Sequence, residues 1–184
     1  MTTRRQVQTT TRRRKLQASQ ELSISAGEPP TGRFRLMMRH GDWQPIGEVV
    51  LRHRCPSRLD VKQQAMDLFA DACVERGWVR DEDRSWLVLC LDEAITNAML
   101  HGNEGDPRLD VEIALAADAK RWQIAISDQG QGFTMASVPD PDNPDSLLLE
   151  HGRGIRLMRA WLGSLTYWRR GATVVLSRRI AAPS

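Results

Sequence analysis

The chain has 184 residues, 41% of them hydrophobic, with 26 Lys and Arg against 23 Asp and Glu and a formal charge of +3. Such a length suits one domain plus a tail, with a core covering roughly two thirds of the unfolded surface, and needs neither disulfides nor a structural metal. The charge is uneven: residues 1–30 hold six basic groups and two acidic ones, residues 31–184 hold 20 basic and 21 acidic, so the globular part is not a basic nucleic-acid binder, and no apolar run reaches the ~18 residues of a membrane span.

Residues 1–44 read as a disordered basic tail, because the first 32 are rich in Thr, Gln, Ser and Arg and carry no sustained apolar period. The domain is expected over 45–182. Its opening strand is the β-branched run Ile46 to Arg54, closed by Pro56. Cys55, Cys73 and Cys90 stand in no CxxC or Cys/His ligand spacing, which argues against a disulfide framework or zinc site and points to a reducing cytoplasm. Ser57 suits the N-cap of a helix to about Arg76, in which Leu59, Met66, Phe69, Ala70 and Cys73 recur at helical steps before Gly77. Asp81, Glu82 and Asp83 favour the start of a second helix, which runs through Trp86 to about Leu100 and stops before Gly102.

Two adjacent antiparallel strands are predicted next, Leu109 to Ala116 and Trp122 to Ser127. The Pro-rich, acidic stretch 134–151 reads as a long loop. Gly152-Arg153-Gly154 leads into a helix carrying Ile155, Leu157, Met158, Trp161 and Leu162, and two closing strands, Leu165 to Trp168 and Ala172 to Arg179, meet across Arg169-Arg170-Gly171. Trp161 and Trp168 are expected in the core. The elements compose an α/β two-layer sandwich with helices on one face of a mixed, mainly antiparallel sheet.

Three groups of residues carry chemistry. Glu93, Asn97 and His101 fall at i, i+4 and i+8 of the second helix among Val88, Leu91, Ala94, Ile95 and Ala98, a polar stripe that either faces solvent or faces something polar. Asn supplies a neutral oxygen for a hard cation and Glu can take a proton from a hydroxyl or water. The string Asp128-Gln129-Gly130-Gln131-Gly132-Phe133 follows a strand; its glycines permit a sharp turn and close approach, and its Asp can accept hydrogen bonds from an exocyclic amine. The third is His151-Gly152-Arg153-Gly154 at a helix start, where free backbone N–H groups and the helix dipole favour an anion. It is neither a dinucleotide-binding nor a P-loop motif.

In this order and spacing the three groups resemble the N, G1 and G2 boxes of the GHKL (Bergerat-fold) ATPases, and LDEAITNAMLHGN and HGRGIRLMRAW look like the bacterial anti-sigma-factor serine/threonine kinases. The resemblance implies ATP and Mg²⁺ as cofactors, with Asn97 on the Mg²⁺ that bridges the phosphates and Glu93 as catalytic base. By the same likeness Asp128 would recognise the adenine amine, and Gly130, Gly132 and the adjoining Phe133 would shape the base pocket. Residues 134–151 would be the ATP lid. Gly152 and Gly154 would offer N–H groups to phosphate, Arg153 would pair with phosphate, and His101 would orient phosphate or Glu93. Gly171-Ala172-Thr173 departs from the family's Gly-Thr, so the hydroxyl supporting Asp128 is either missing or supplied by Thr173.

Kinases of this branch phosphorylate a small STAS-type anti-sigma-factor antagonist and sequester a sigma factor, usually as homodimers. The same pocket also suits a nucleotide-binding interaction module without kinase activity. Neither nucleic acid nor membrane is expected as a direct partner, and the cytoplasm is the expected location.

Overall fold

Alternation with a period of two places Trp122, Ile124 and Ile126 on one face of a strand, and all three are at most 1% exposed, so that face must be covered. The computed structural model describes residues 34–132 and 157–180. Its elements are β1 (Arg35–Met38), β2 (Glu48–Pro56), α1 (Leu59–Glu75), a 3₁₀ turn (Asp81–Asp83), α2 (Arg84–Asn97), a π-helical turn (Ala98–Gly102), β3 (Asp110–Ala117), β4 (Arg121–Ser127), α3 (157–161), β5 (Ser164–Trp168), a 3₁₀ turn (Arg169–Gly171) and β6 (Thr173–Arg179). The strands make one six-stranded sheet in the order β1-β5-β6-β4-β3-β2. Only β1 with β5 is parallel, and β3 and β4 are adjacent and antiparallel as expected.

The helices cover the face that carries Ile113, Leu115, Trp122, Ile124, Ile126, Leu165 and Leu176, and Phe69, Cys73, Leu87, Leu91, Ile95 and Met99 complete the core from α1 and α2. Trp161 packs at 6.0 Å from Trp122, with the Arg178 guanidinium 4.2 Å from its ring centroid. Trp168 does not join this core: it lies on the other face of the sheet beneath the Arg39 guanidinium. Two polar links fix α2 against α1. Lys62 reaches Asp92 at 2.5 Å and the Thr96 hydroxyl at 2.9 Å, and Arg84 reaches Asp67 and Asp71 at 2.8 and 2.7 Å.

Two boundaries differ from the sequence reading. The ordered domain begins before residue 45, because β1 adds a parallel edge strand and residues 39–47 then cross the sheet from that edge to β2 at the opposite one. Five strand spacings make ~24 Å, and nine extended residues reach ~30 Å, so this strap is nearly stretched. Its crossing is marked by the Arg169 N–H donating to the Gly41 carbonyl (3.2 Å), by Trp43 Nε1 donating to Gln123 Oε1 (3.3 Å), and by Gly47, where a Cβ would collide with the Ala117 carbonyl. A four-residue strand and a strap have too few residues to show a period. Both take their shape from what they lie on. Residues 1–33 lie outside the described residues.

The second difference is Ser57. The helix starts at Leu59 with Arg58 as its flanking residue, and the Ser57 hydroxyl accepts a hydrogen bond from Asn103 instead of capping α1. The acidic run likewise forms a 3₁₀ turn ahead of α2, with the buried Asp83 carboxylate held by the Arg80 guanidinium at 3.0 and 3.1 Å.

The core assignment predicts that Phe69→Ala lowers unfolding free energy by ~3–5 kcal/mol, since the ring is wholly buried and its removal leaves a cavity. Leu68→Ala, one position along and 40% exposed, should stay within ~1 kcal/mol of the parent in the same urea titration.

Candidate functional site

On α2 the four-residue spacing sets Glu93 and Asn97 one above the other, and the structure joins them: Asn97 Nδ2 donates to Glu93 Oε1 at 3.0 Å. Both side chains are half-buried. With its nitrogen committed to Glu93, the Asn97 amide presents Oδ1 to whatever approaches, which is the end that can ligate a hard cation. Tyr167 comes in from β5 on the same face of the sheet; burial, with the Glu93 charge adding to it, pushes its phenol up to about 12 and keeps it protonated at neutral pH. His101 lies beyond the regular helix. The chain leaves α-helical geometry at Ala98 and makes a wider π turn, so the regular spacing stops at Asn97, and His101 is exposed.

The second part lies where β4 ends. Asp128 is 7% exposed, its N–H donates to the Ala172 carbonyl at 3.0 Å, and its Oδ1 accepts the Gly130 N–H at 2.9 Å. Burial raises its carboxyl above the usual range, opposed by the Gly130 hydrogen bond and the positive charge of Arg169. An acceptor with one oxygen engaged by its own loop has the other for a donor on a ligand. Glycine is required here by backbone contact. A Cβ on Gly102 would fall 2.3 Å from the Asp128 carboxyl carbon, and one on Gly130 would fall 2.0 Å from the Gly102 carbonyl oxygen. Gly132 has φ +73°, and a Cβ there would fall 2.1 Å from the Arg170 carbonyl oxygen. The loop is thus wedged between the end of α2 and the turn after β5, and Arg169 and Arg170 hold left-handed φ of 49° and 56° on its far side.

Sequence reasoning had no means of assigning Asn103. It is 1% exposed; Nδ2 donates to Ser57 Oγ at 2.8 Å and to the Asp110 carbonyl at 3.0 Å, while Oδ1 accepts the Gln129 N–H at 2.7 Å. Gln129 Oε1 accepts the Asp110 N–H at 3.0 Å and completes the ring. The only signal in the sequence was an Asn after a helix-ending Gly, a pattern that equally suits an exposed turn.

Thr173 is corrected by the sheet register. It pairs with Ser127, and its hydroxyl lies 2.9 Å from the Ser127 hydroxyl on the face away from the helices. Asp128 and Ala172, one step along each strand, lie on the helix face, so the side chain beside the Asp128 carboxyl is a methyl group. Phe133, the stretch 134–151, Gly152, Arg153 and Gly154 lie outside the described residues.

A separate groove of about 490 Å³ opens on the other face, between the strap residues Asp42 and Trp43 and a floor of Ala114, Ala125, Ser127 and Thr173. Two of its cations are internally paired, Arg54 with Glu112 and Arg169 with Asp42.

Among the described residues no group of three or more His, Cys, Asp or Glu side chains could hold a metal by itself. The chemistry of Asn97 Oδ1 beside Glu93 fits a magnesium ion bound mainly through phosphate oxygens and water, since that ion commonly takes only one or two protein ligands. No helix among the described residues is long and apolar enough to cross a membrane.

The sequence profile of the histidine kinase-like ATPase domain matches residues 55–178, a span that contains Glu93, Asn97, Asp128 and Ala172. The chain belongs to that family, and its α/β architecture, with helices on one face of a mixed six-stranded sheet, is that of a GHKL-type ATP-binding module. No curated protein matches the chain.

The contact between Gly102 and Asp128 yields a direct test. Gly102→Ala should destabilise the protein by ~1–3 kcal/mol, because overpacking forces the carboxyl or the turn to move. In an Asp128→Gly background most of that penalty should vanish, and a double-mutant cycle by chemical denaturation measures the difference.

Proposed function

We propose that this ATP-binding module is a magnesium-dependent protein serine/threonine kinase of the anti-sigma-factor type. In this reading it phosphorylates a small STAS-type antagonist and holds a sigma factor in a cytoplasmic partner-switching circuit, with a homodimer as the working unit. The observation that carries the proposal is the Glu93–Asn97 hydrogen bond. It engages the amide nitrogen, leaving the amide oxygen available beside a carboxylate, as the proposed magnesium and base roles require.

In the proposed reaction Glu93 accepts the proton of the incoming serine or threonine hydroxyl. That hydroxyl oxygen bonds to the γ-phosphorus as the β–γ bridging bond breaks, releasing ADP. Asn97 would hold the magnesium ion, which supplies charge neutralisation to the phosphate oxygens when bound. Asp128 would take the hydrogen bond of the adenine amine, Tyr167 would screen Glu93 from bulk water, and the Gly152-Arg153-Gly154 segment would meet the phosphates. Family membership, the spacing of the three motifs, and the packing of Asp128 on Gly102, five residues past Asn97, support this reading.

One feature favours a second reading, a nucleotide-holding interaction module without transfer activity. Ala172 offers no hydroxyl beside Asp128, which leaves one fewer group to fix the base.

Calorimetric titration with ATP, with and without Mg²⁺, tests the pocket. Asn97→Ala should lose the magnesium-dependent part of the affinity, and Glu93→Gln should bind ATP normally yet transfer no label to an antagonist protein. Label transfer at the parental rate by Glu93→Gln would rule out the assigned base. Binding by wild type without transfer to any antagonist would favour the interaction module.

Acidification supplies a further check. Ionised Asp128 accepts the adenine amine more strongly than the neutral acid would, and its carboxyl is raised by burial, so ATP affinity should begin to fall at a pH above the ordinary carboxyl range. The sign for stability is opposite. A raised folded-state pKa means that the folded protein binds more protons than the unfolded chain between the two values, so this group's contribution to stability decreases as pH rises through that window. Asp128→Asn should remove both dependences.

A further inference from the structure

Asn103 follows the π turn after α2, and three of the four hydrogen-bonding directions of its side chain are used, each toward a different part of the fold. The two donors of Nδ2 go to Ser57, at the junction of β2 and α1, and to the Asp110 carbonyl, at the start of β3. Both partners belong to the rigid frame. The acceptor goes the other way, to the N–H of Gln129, the residue directly after Asp128. The backbone of Asn103 is itself tied to the helix, since its N–H donates to the Ala98 carbonyl at 2.9 Å. A buried amide satisfied in this manner is rigid, because any rotation breaks at least one hydrogen bond with no water to replace it.

The neighbouring contacts act in the same direction. Gly102 packs against the Asp128 carboxyl, and Gly130 packs against the Gly102 carbonyl. Two consecutive residues at the end of α2 therefore grip three consecutive residues of the loop. Glu93 and Asn97 sit on α2 itself.

We propose that Asn103 is a positioning residue that fixes Asp128 relative to the Glu93–Asn97 pair, so that choice of nucleobase depends on an amide that touches neither base nor phosphate. This rests on the reading of the site as a nucleotide pocket. The chemical reason is that Asp128 discriminates by accepting from an exocyclic amine at the six-position of a purine, and guanine carries an oxygen there. Moving the carboxylate away lowers the affinity for ATP and leaves that for GTP nearly unchanged.

The test is calorimetry with ATP and with GTP in the presence of Mg²⁺, accompanied by thermal melts, on wild type, Asn103→Ala, Asn103→Asp, Ser57→Ala and Asn97→Ala. Asn103→Ala should lose about tenfold in ATP affinity, with the ATP-to-GTP ratio falling toward one. Asn103→Asp retains the oxygen that accepts from Gln129 and should retain the wild-type ratio at lower thermal stability. Ser57→Ala removes one anchor, but not the hydrogen bond to the loop, and should lower the melting temperature with the ratio unchanged. Asn97→Ala should weaken both nucleotides alike.

A merely structural role for Asn103 would move the melting temperature in Asn103→Ala and Ser57→Ala together and the ratio in neither. A wild-type ratio in folded Asn103→Ala overturns this inference while leaving the pocket intact. Absence of ATP binding by folded wild type overturns the nucleotide reading and this inference with it. Should Asn103→Ala fail to fold, Asn103→Ser, whose shorter side chain cannot span to the Gln129 N–H, is measured in its place with the same expected and contrary outcomes.

Discussion

A carboxylate at the end of a strand can select a hydrogen-bond donor only where water does not compete, and excluding water raises the free energy of the charge. At Asp128 these demands meet in one close contact, the Gly102 backbone against the carboxyl. A side chain at residue 102 would force the carboxyl or the turn to move. Gly130 extends the same contact by lying on the Gly102 carbonyl. The buried charge is offset by the Gly130 N–H and by Arg169, and the balance still leaves the carboxyl raised. Arg169 is in turn placed by the strap, through Gly41 and Asp42. The selectivity expected of this site thus depends on a segment that crosses the opposite face of the sheet.

The strap also accounts for side-chain sizes on that face. Ala114, Ala116, Ala125, Thr173, Val175 and Ser177 are all buried although no described helix covers them, and none is large. A chain stretched across six strands has little slack with which to arch over bulky groups. A glycine lets it approach closely where it meets the end of β3, and small residues floor the groove beneath Asp42 and Trp43. The sheet is therefore buried on both faces, by helices on one and by an irregular segment on the other. This is why the strands show hydrophobic or small residues at successive positions instead of a clean alternation.

Much of this was legible in advance, for identifiable reasons. α1, α2, β3, β4 and β6 carry enough consecutive residues for their period to show, and their bounds fall within a few residues of expectation. Glu93 and Asn97 could be paired because a regular helix converts sequence spacing into spatial direction. The regular spacing ends at Asn97, beyond which a π turn changes the residues per turn, and no local propensity announces such a turn. The two alternatives for the hydroxyl beside Asp128, missing or supplied by Thr173, stayed open for a similar reason: whether a strand residue faces Asp128 depends on register, and a shift of one position exchanges the faces. Asn103, Gly102 and Tyr167 were invisible as site residues because their roles arise only from long-range contacts.

The geometry also separates two tasks that motif spacing alone merges. The Glu93–Asn97 pair needs only a regular helix, and its hydrogen bond would form in any α-helix carrying those residues. The Asp128 end needs tertiary structure throughout: the Asn103 ring, three glycines packed on carbonyls or a carboxyl, and two arginines in left-handed backbone. Strained backbone of this kind persists only where surrounding contacts over-determine it, and here the Gly132 wedge and the Gly41 hydrogen bond do so. The Asp128 end of the site is accordingly the costly part of the fold.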